Sequence, residues 1–101
     1  MIEVRFLVPL ANNSGVGFLP SHHSQFEAAL ADLFGGFTRY GAAAGGWIDA
    51  GRVYRDDLTV YAVALSSIVE GAKVAELATY IKNHYSQLAV YITYLGQAEI
   101  L

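Results

Sequence analysis

The order of strand-like and helix-like segments constrains the fold of this chain more than any other sequence feature. Apolar side chains stand at alternate positions from Ile2 to Leu10, which is typical of a β-strand with one buried face. Pro9 marks an edge or the end of this strand, because proline has no amide proton for a ladder hydrogen bond. A loop at residues 12–17, with two glycines, follows it.

Two later segments have helical spacing, with apolar residues three or four positions apart on one face. In the first helix these are Phe26, Ala29, Leu30, Leu33 and Phe34, and in the second they are Val74, Leu77, Ala78, Ile81 and Tyr85. Ser24 and Glu27 fit a capping box at the start of the first helix, and Gly35 with Gly36 fits its end.

The segments between and after the helices predict further strands. Residues 35–51 hold six of the ten glycines, which indicates one irregular or bulged strand leading to a turn at residues 49–52. Residues 58–65 are rich in β-formers and predict a central strand. Residues 88–94 predict the last strand, and residues 97–101 can add a short fifth strand at an edge.

The resulting order, strand-helix-strand-strand-helix-strand, predicts an α+β fold. This is the ferredoxin-like βαββαβ plait, a four-stranded antiparallel sheet with both helices on one face. A chain of 101 residues has room for one such core, so residues 1–101 are predicted to form a single domain.

This fold leaves the sheet face opposite the helices open. Charged residues make up only 15% of the chain, against about 25% in an average soluble domain, so much of the surface is neutral or apolar. Extended apolar surface favours self-association, and we expect a homo-oligomer, a dimer or a trimer. The alternative is a mildly apolar but solvated face. Strand alternation predicts that the interface residues on the open face are Leu7, Tyr61, Val63, Leu65 and Tyr91.

Composition also excludes several functions. The net charge of −3 argues against nucleic acid as a partner. No apolar run approaches the ~18 residues needed to span a membrane, and no secretory signal pattern opens the chain, so we expect a cytoplasmic protein without a membrane partner. The chain has no cysteine, which removes thiolate metal sites and cysteine nucleophiles.

The first candidate ligand site comprises Gly15, Gly17, His22 and His23. They lead into the first helix, whose free amide groups and dipole favour a small molecule or anion. Adjacent histidines point in different directions, so we predict no metal site. The alternative is a solvated helix start.

The second candidate site comprises Trp47, Arg52 and Arg55, where flanking glycines permit close approach of a ligand or another chain. The alternative is that these side chains lie on a solvent-exposed hairpin and bind nothing. Asp56 and Asp57 would alternate faces, so they are no catalytic pair. We predict no catalytic residues, and the sequence identifies no cofactor.

The element order, with the blocks FGGFT at residues 34–38 and YITYLG at residues 91–96, resembles small bacterial ferredoxin-like proteins, including PII-like and ACT-like regulatory domains. The resemblance implies a non-enzymatic regulatory protein that binds its ligand between subunits, near residues 45–57. The topology is also similar to that of dimeric α/β-barrel monooxygenases, which implies an enzyme with an apolar pocket. For this alternative, Trp47, His84 and Asn12 match residue types of a haem-degrading branch.

Overall fold

A computed structural model describes residues 2–66, 70–94 and 97–100. Its strands pair antiparallel in the spatial order β2-β3-β1-β4-β5. The predicted ferredoxin-like plait is confirmed, and the fifth strand adds an edge beside β4. The elements are β1 (Ile2–Pro9), α1 (Pro20–Phe34), β2 (Thr38–Asp49), β3 (Arg52–Leu65), α2 (Gly71–His84), β4 (Tyr91–Tyr94) and β5 (Gln97–Ile100).

The hydrophobic core lies between the two helices and one face of the sheet. Strand β1 contributes every second residue to it, as its alternation predicts, while Glu3 and Arg5 point to the open face. Both helices bury the faces that their spacing predicts, α1 through Phe26 and Leu30. The fully buried large side chains are Tyr61, Tyr85, Phe6, Phe26, Leu30, Leu65, Leu77, Ile81, Ile92, Val4 and Val8.

The predicted orientation of β3 is wrong. Phe6 lies opposite Tyr61 and Val4 opposite Val63, and residues directly opposite in a ladder share a face. Tyr61, Val63 and Leu65 therefore face the helices and are buried in the core. They cannot form an interface on the open face. Leu7 and Tyr91 do lie there, with Tyr91 exposed.

Helix α1 begins earlier than the capping box predicts. Pro20 occupies its first turn, and the N-cap residue Leu19 makes no side-chain capping bond. Ser24 lies inside the helix, where its hydroxyl donates to the Pro20 carbonyl at 3.1 Å. Gly35 ends the helix in the left-handed conformation, as predicted.

Strands β2 and β3 form a hairpin that is longer than the rest of the sheet. The predicted bulge lies at Tyr40, between the registers of Arg39 and Gly41. The predicted turn lies at Ala50 and Gly51, whose φ angles are +50° and +77°. Strand β1 pairs with β3 only as far as Leu58. Residues 44–57 thus extend past β1 as a two-stranded ribbon, which we call the arm.

Candidate functional site

The arm carries a cluster of aromatic and charged side chains on one face. The rings of Trp47 and Tyr54 stack with centroids 4.5 Å apart, and the Arg52 guanidinium lies 5.5 Å from the centre of the Tyr54 ring. The Trp47 indole donates to Asp56 Oδ2 at 3.2 Å. Alternation along β3 places this cluster on the open face. The cluster therefore offers a flat aromatic surface, a carboxylate and a cation to one ligand.

The arm is exposed on both faces. Trp47 is 51% exposed on the open face, and Ile48, on the other, is 72% exposed. Val53 lies directly opposite Ile48 and is also exposed. The predicted ligand residue Arg55 is exposed and lies on the Ile48 face, because it has the parity of Val53 on β3. The structure thus brings Trp47 and Arg52 together but places Arg55 across the ribbon from them.

The predicted loop site has a local structure of its own. The Asn12 side chain accepts hydrogen bonds from the Ser14 and Val16 amides at 2.9 and 3.0 Å. Gly15 has a φ of +81°, and Gly17 bridges to Ala11. The loop is therefore a closed turn held by its own backbone, and whether it binds an anion stays a prediction.

His22 and His84 join the start of α1 to the end of α2, and we call this pair the helix brace. Each ring places its Nε2 against the other's carbonyl oxygen, at 2.6 Å from His22 to His84 and at 2.7 Å in return. The two rings stack at 3.7 Å. Carbonyl oxygens only accept hydrogen bonds, so both Nε2 atoms carry the proton. No local pattern indicates this pair, because its members are far apart in sequence.

His23 faces the buried Tyr85, with its Nδ1 2.8 Å from the phenol oxygen. Burial lowers the pKa of His23, helped by the nearby His22, and burial also raises the pKa of Tyr85. The bonds and ring contacts of the described residues join His22 to His23 through Tyr85, and Trp47 to Arg52 through Tyr54. None of them links the two predicted sites.

A second polar cluster lies between α1 and the sheet. Tyr61 donates to Glu27 Oε2 at 2.6 Å, and Arg39 donates to the same oxygen at 3.0 Å. Burial, together with the hydrogen bond to Glu27, raises the pKa of Tyr61 to about 12. Tyr61 thus stays neutral at physiological pH and anchors α1 to β3.

A cleft lies where α1 ends, at the end of β2 and β3 that is opposite the arm. Its volume is about 270 Å³, which is just below the ~300–1,000 Å³ of typical small-molecule sites. Glu3 in its wall accepts hydrogen bonds from Arg5 at 2.6 Å and from Tyr40, and the bond from Arg5 lowers the pKa of Glu3. Sequence reasoning missed this cleft. Its lining residues are Glu3, Phe34, Gly35, Gly36, Phe37, Thr38, Ala62, Val63 and Ala64.

Within residues 2–66, 70–94 and 97–100, no group of three His, Asp or Glu side chains lies close enough to hold a metal ion. No helix in the same part of the chain is both long and apolar enough to cross a membrane.

Known proteins resemble this chain in fold and not in sequence. No protein-family model matches the chain, and no curated protein matches it in sequence. A phage SAM lyase in complex with S-methyl-5′-thioadenosine is similar in structure, with a TM-score of 0.72, 14% identity, and coverage of 99% of this chain and 88% of that one.

Two divalent cation tolerance proteins are also similar. CutA1 from Thermus thermophilus has a TM-score of 0.64 and 18% identity, and the match covers 98% of this chain and 86% of that one. A mutant of CutA1 from Pyrococcus horikoshii has a TM-score of 0.61 and 14% identity, with 94% and 81% covered. At these identities the likeness shows the ferredoxin-like fold and leaves membership of a PII-like or ACT-like family a prediction.

Proposed function

We propose that the protein is a homo-oligomer that binds a small molecule where its subunits meet. The observation that carries this proposal is the arm, which leaves the sheet with large apolar side chains exposed on both faces. A two-stranded ribbon by itself is marginally stable in water. A second copy packed against the arm would cover these exposed side chains with apolar surface, which the chain itself does not provide.

The energetics of burial support this reading. Complete burial of a large apolar side chain contributes about 1.5–3 kcal/mol, and Trp47, Ile48 and Val53 are all more than half exposed. An interface that covers all three would gain several such contributions against the entropy lost on association. The open face adds Leu7 and Tyr91 to the surface available for contact.

We infer that the ligand is an adenosine-type molecule. The stacked rings of Trp47 and Tyr54 present the flat surface that nucleobases favour, and stacking of one base on an aromatic residue is worth about 1–3 kcal/mol. Asp56 can accept hydrogen bonds from ribose hydroxyls. The similar fold of the phage SAM lyase, which holds S-methyl-5′-thioadenosine, supports this ligand class.

The oligomer and the ligand are tested separately. Light scattering at micromolar concentration is expected to give a mass of at least twice 10.9 kDa, and a mass of 10.9 kDa would contradict the homo-oligomer. Because Trp47 is the only tryptophan, its fluorescence reports directly on the arm. Addition of S-methyl-5′-thioadenosine is expected to quench Trp47 emission and to raise the melting temperature.

Matched variants locate the ligand. Tyr54→Ala is expected to weaken binding at least tenfold because it removes half of the stack, whereas Glu3→Gln in the cleft is expected to leave it unchanged. If Glu3→Gln weakens binding and Tyr54→Ala does not, the ligand lies in the cleft and the arm site is wrong. No response to adenosine, S-methyl-5′-thioadenosine or S-adenosylmethionine would rule out this ligand class.

A second candidate function is cleavage of S-adenosylmethionine. It is favoured by the TM-score of 0.72 to a SAM lyase over 99% of the chain. Incubation with S-adenosylmethionine and chromatography of the products tests it. Cleavage breaks a carbon–sulfur bond, which leaves the electron pair on the sulfur of S-methyl-5′-thioadenosine, while the carboxylate of the four-carbon amino-acid fragment closes on the freed carbon as a lactone. Release of both products in equal amounts and in proportion to protein would make the protein an enzyme. If S-adenosylmethionine stays intact, binding remains the only proposed function.

The monooxygenase alternative has less support from the geometry. His84, which a haem site would need, already stacks on His22 and bonds to its carbonyl oxygen. Haem titration tests the monooxygenase alternative, which predicts a Soret band for the parent protein and no Soret band for His84→Ala. If the parent protein takes up no haem, the monooxygenase alternative is wrong.

A further inference from the structure

We propose that the groove between α1 and α2 binds a small hydrophobic amine, a molecule in which a short chain joins one apolar ring to an ammonium group. Six apolar side chains line the groove, and they are Phe26, Ala29, Leu30, Leu33, Leu77 and Tyr80. Two carboxylates, those of Asp32 and Glu76, complete its walls. None of these residues belongs to the arm or to the cleft beside Glu3, so this is a separate site.

The groove is large enough for such a ligand. On α1, Phe26, Leu30 and Leu33 share one helix face, and Ala29 beside them carries only a methyl group, which leaves space between the helices. The volume of the groove is about 350 Å³, within the ~300–1,000 Å³ of typical small-molecule sites. An apolar cavity of ~150 Å³ already holds benzene, so the groove has room for one ring and an alkyl chain.

The helix brace closes one end of the groove. The helices run antiparallel, because His22 at the start of α1 meets His84 at the end of α2. Beside the brace, the rings of Phe26 and Tyr80 stack with centroids 6.1 Å apart, and Tyr80 also stacks on His84 at 5.2 Å. A helix of another protein laid along the groove would collide with these rings. The closed end therefore favours a short ligand.

The two carboxylates lie on the side of the stacked rings that is away from the brace. At about 1.5 Å rise per residue, Asp32 lies about 9 Å along α1 from Phe26, and Glu76 lies about 6 Å along α2 from Tyr80. Because the helices are antiparallel, both displacements point the same way. An ammonium group, with its three donors, can thus bond to carboxylate oxygens while the ring of the ligand packs against Tyr80.

The charge of the groove favours a cation. Asp32 and Glu76 are exposed carboxylates and are negative at neutral pH. Among the described residues, no Lys, Arg or His side chain lines the groove, and no ion pair in the same part of the chain involves either carboxylate. Lys73, one turn before Glu76, donates to Glu70 at 3.1 Å. A cationic ligand would therefore meet two charges that the chain does not neutralise, and an anion would be repelled.

The test compares three ligands with the same ring and chain. 4-Phenylbutylamine carries an ammonium group, 4-phenylbutanol is neutral, and 4-phenylbutyrate is an anion. Isothermal titration calorimetry measures each Kd, and NMR amide shifts of the isotope-labelled protein locate the ligand. We expect the amine to bind with a Kd of about 1 mM or tighter, at least about threefold more tightly than the alcohol. The anion should bind more weakly than the alcohol.

Charge variants test the carboxylates. Asp32→Asn and Glu76→Gln should each weaken binding of the amine about two- to fivefold, the range expected for one exposed ion pair, and should leave binding of the alcohol unchanged. Asp49→Asn removes the same charge at an exposed position of the arm and is the matched control. It should leave binding of both ligands unchanged.

Volume variants test the groove itself. Ala29→Phe fills the space between the helices and should weaken binding of both the amine and the alcohol at least about tenfold. Ala28→Phe makes the same change at the neighbouring exposed position and should leave both unchanged. Circular dichroism checks that each variant is folded, and the charge variants decide the proposal if Ala29→Phe is not.

Several results would overturn the proposal. Equal affinities for amine and alcohol, with no effect of Asp32→Asn or Glu76→Gln, would show that the groove does not select a cation. Amine binding that survives Ala29→Phe but is lost in Tyr54→Ala would place the ligand on the arm. The groove is also wrong as an amine site if the amine does not bind, or if only a basic amphipathic peptide does. Light scattering and Trp47 fluorescence test the homo-oligomer and its adenosine-type ligand, so those proposals stand or fail separately.

Discussion

Strand β3 runs through two regions that differ in whether their apolar side chains are buried. In residues 58–65 it lies between β1 and β2 and packs Tyr61, Val63 and Leu65 under the helices. In residues 52–57 it has only β2 beside it, and its apolar residue Val53 is exposed. The first region is covered from within the chain, and the second is exposed in the single chain. The core therefore provides stability, and in the proposed homo-oligomer the arm would provide the contact.

The largest effect should distinguish core from arm. Phe26→Ala removes a buried ring that packs against Phe6, Tyr61 and Tyr85, and should lower the free energy of unfolding by about 3–5 kcal/mol. Ile48→Thr, in monomeric protein at high dilution, should change it by less than about 0.5 kcal/mol, because Ile48 is 72% exposed and threonine keeps the β-branch. Urea denaturation measures both.

A milder core variant keeps this comparison informative if Phe26→Ala does not fold. Phe26→Leu should cost less than about 1.5 kcal/mol, since it retains most of the volume. If Ile48→Thr destabilises the dilute monomer as much as a core substitution does, the arm belongs to the core and the distinction is wrong.

An intermediate effect is expected at the helix brace. His84→Ala removes the bond to the His22 carbonyl and the stack on its ring. Each such contact is worth about 0.5–1.5 kcal/mol, so the free energy of unfolding should fall by about 1–3 kcal/mol. Asn83→Ala, at the exposed neighbouring position, is the control and should lie within about 0.5 kcal/mol of the parent. Equal stability of His84→Ala and parent would show that the helix brace is redundant.

The smallest effect depends on pH. Glu70 accepts hydrogen bonds from the Ser66 amide and hydroxyl, which together with Lys73 lower its pKa from 4.5 to about 2. A lowered pKa stabilises the folded state above pH 4.5, and this stabilisation is lost as the pH falls through about 2. The gap in urea midpoint between parent and Glu70→Gln should therefore shrink from pH 5 to pH 2. A gap that does not change with pH would mean that the Glu70 charge makes no contribution.

The sequence predicts the fold well where only one face of an element is buried. Glu3 and Arg5 interrupt the apolar pattern of β1, so its alternation identifies the core face. Residues 58–65 are apolar at nearly every position, so alternation alone cannot say which face is buried. Tyr61 and Val63 fill the space under the helices, which the small side chains of Ala62 and Ala64 would not fill. The size of that space depends on helices that are distant in the sequence, so the residues of β3 alone do not reveal it.

The candidate site shows the same limit. Trp47 and Arg52 lie near the predicted turn, so local reasoning finds them, although Arg55 then lies on the other face of the ribbon. The reciprocal bonds of His22 and His84 depend on where two helix ends meet, and no spacing rule connects residues that far apart. The cleft beside Glu3 arises where the end of α1 meets the edge of the sheet, which only the assembled fold defines.

The central place of β1 in the sheet has a consequence for synthesis on the ribosome. Val4 pairs with Val63 on one side and with Tyr94 on the other, so β1 leaves the exit tunnel long before either partner does. Until then its apolar side chains have only α1 and one another for cover. Long-range pairing of this kind slows folding and exposes the nascent strand to wrong partners. The chain is therefore expected to depend on chaperones during translation more than its small size suggests.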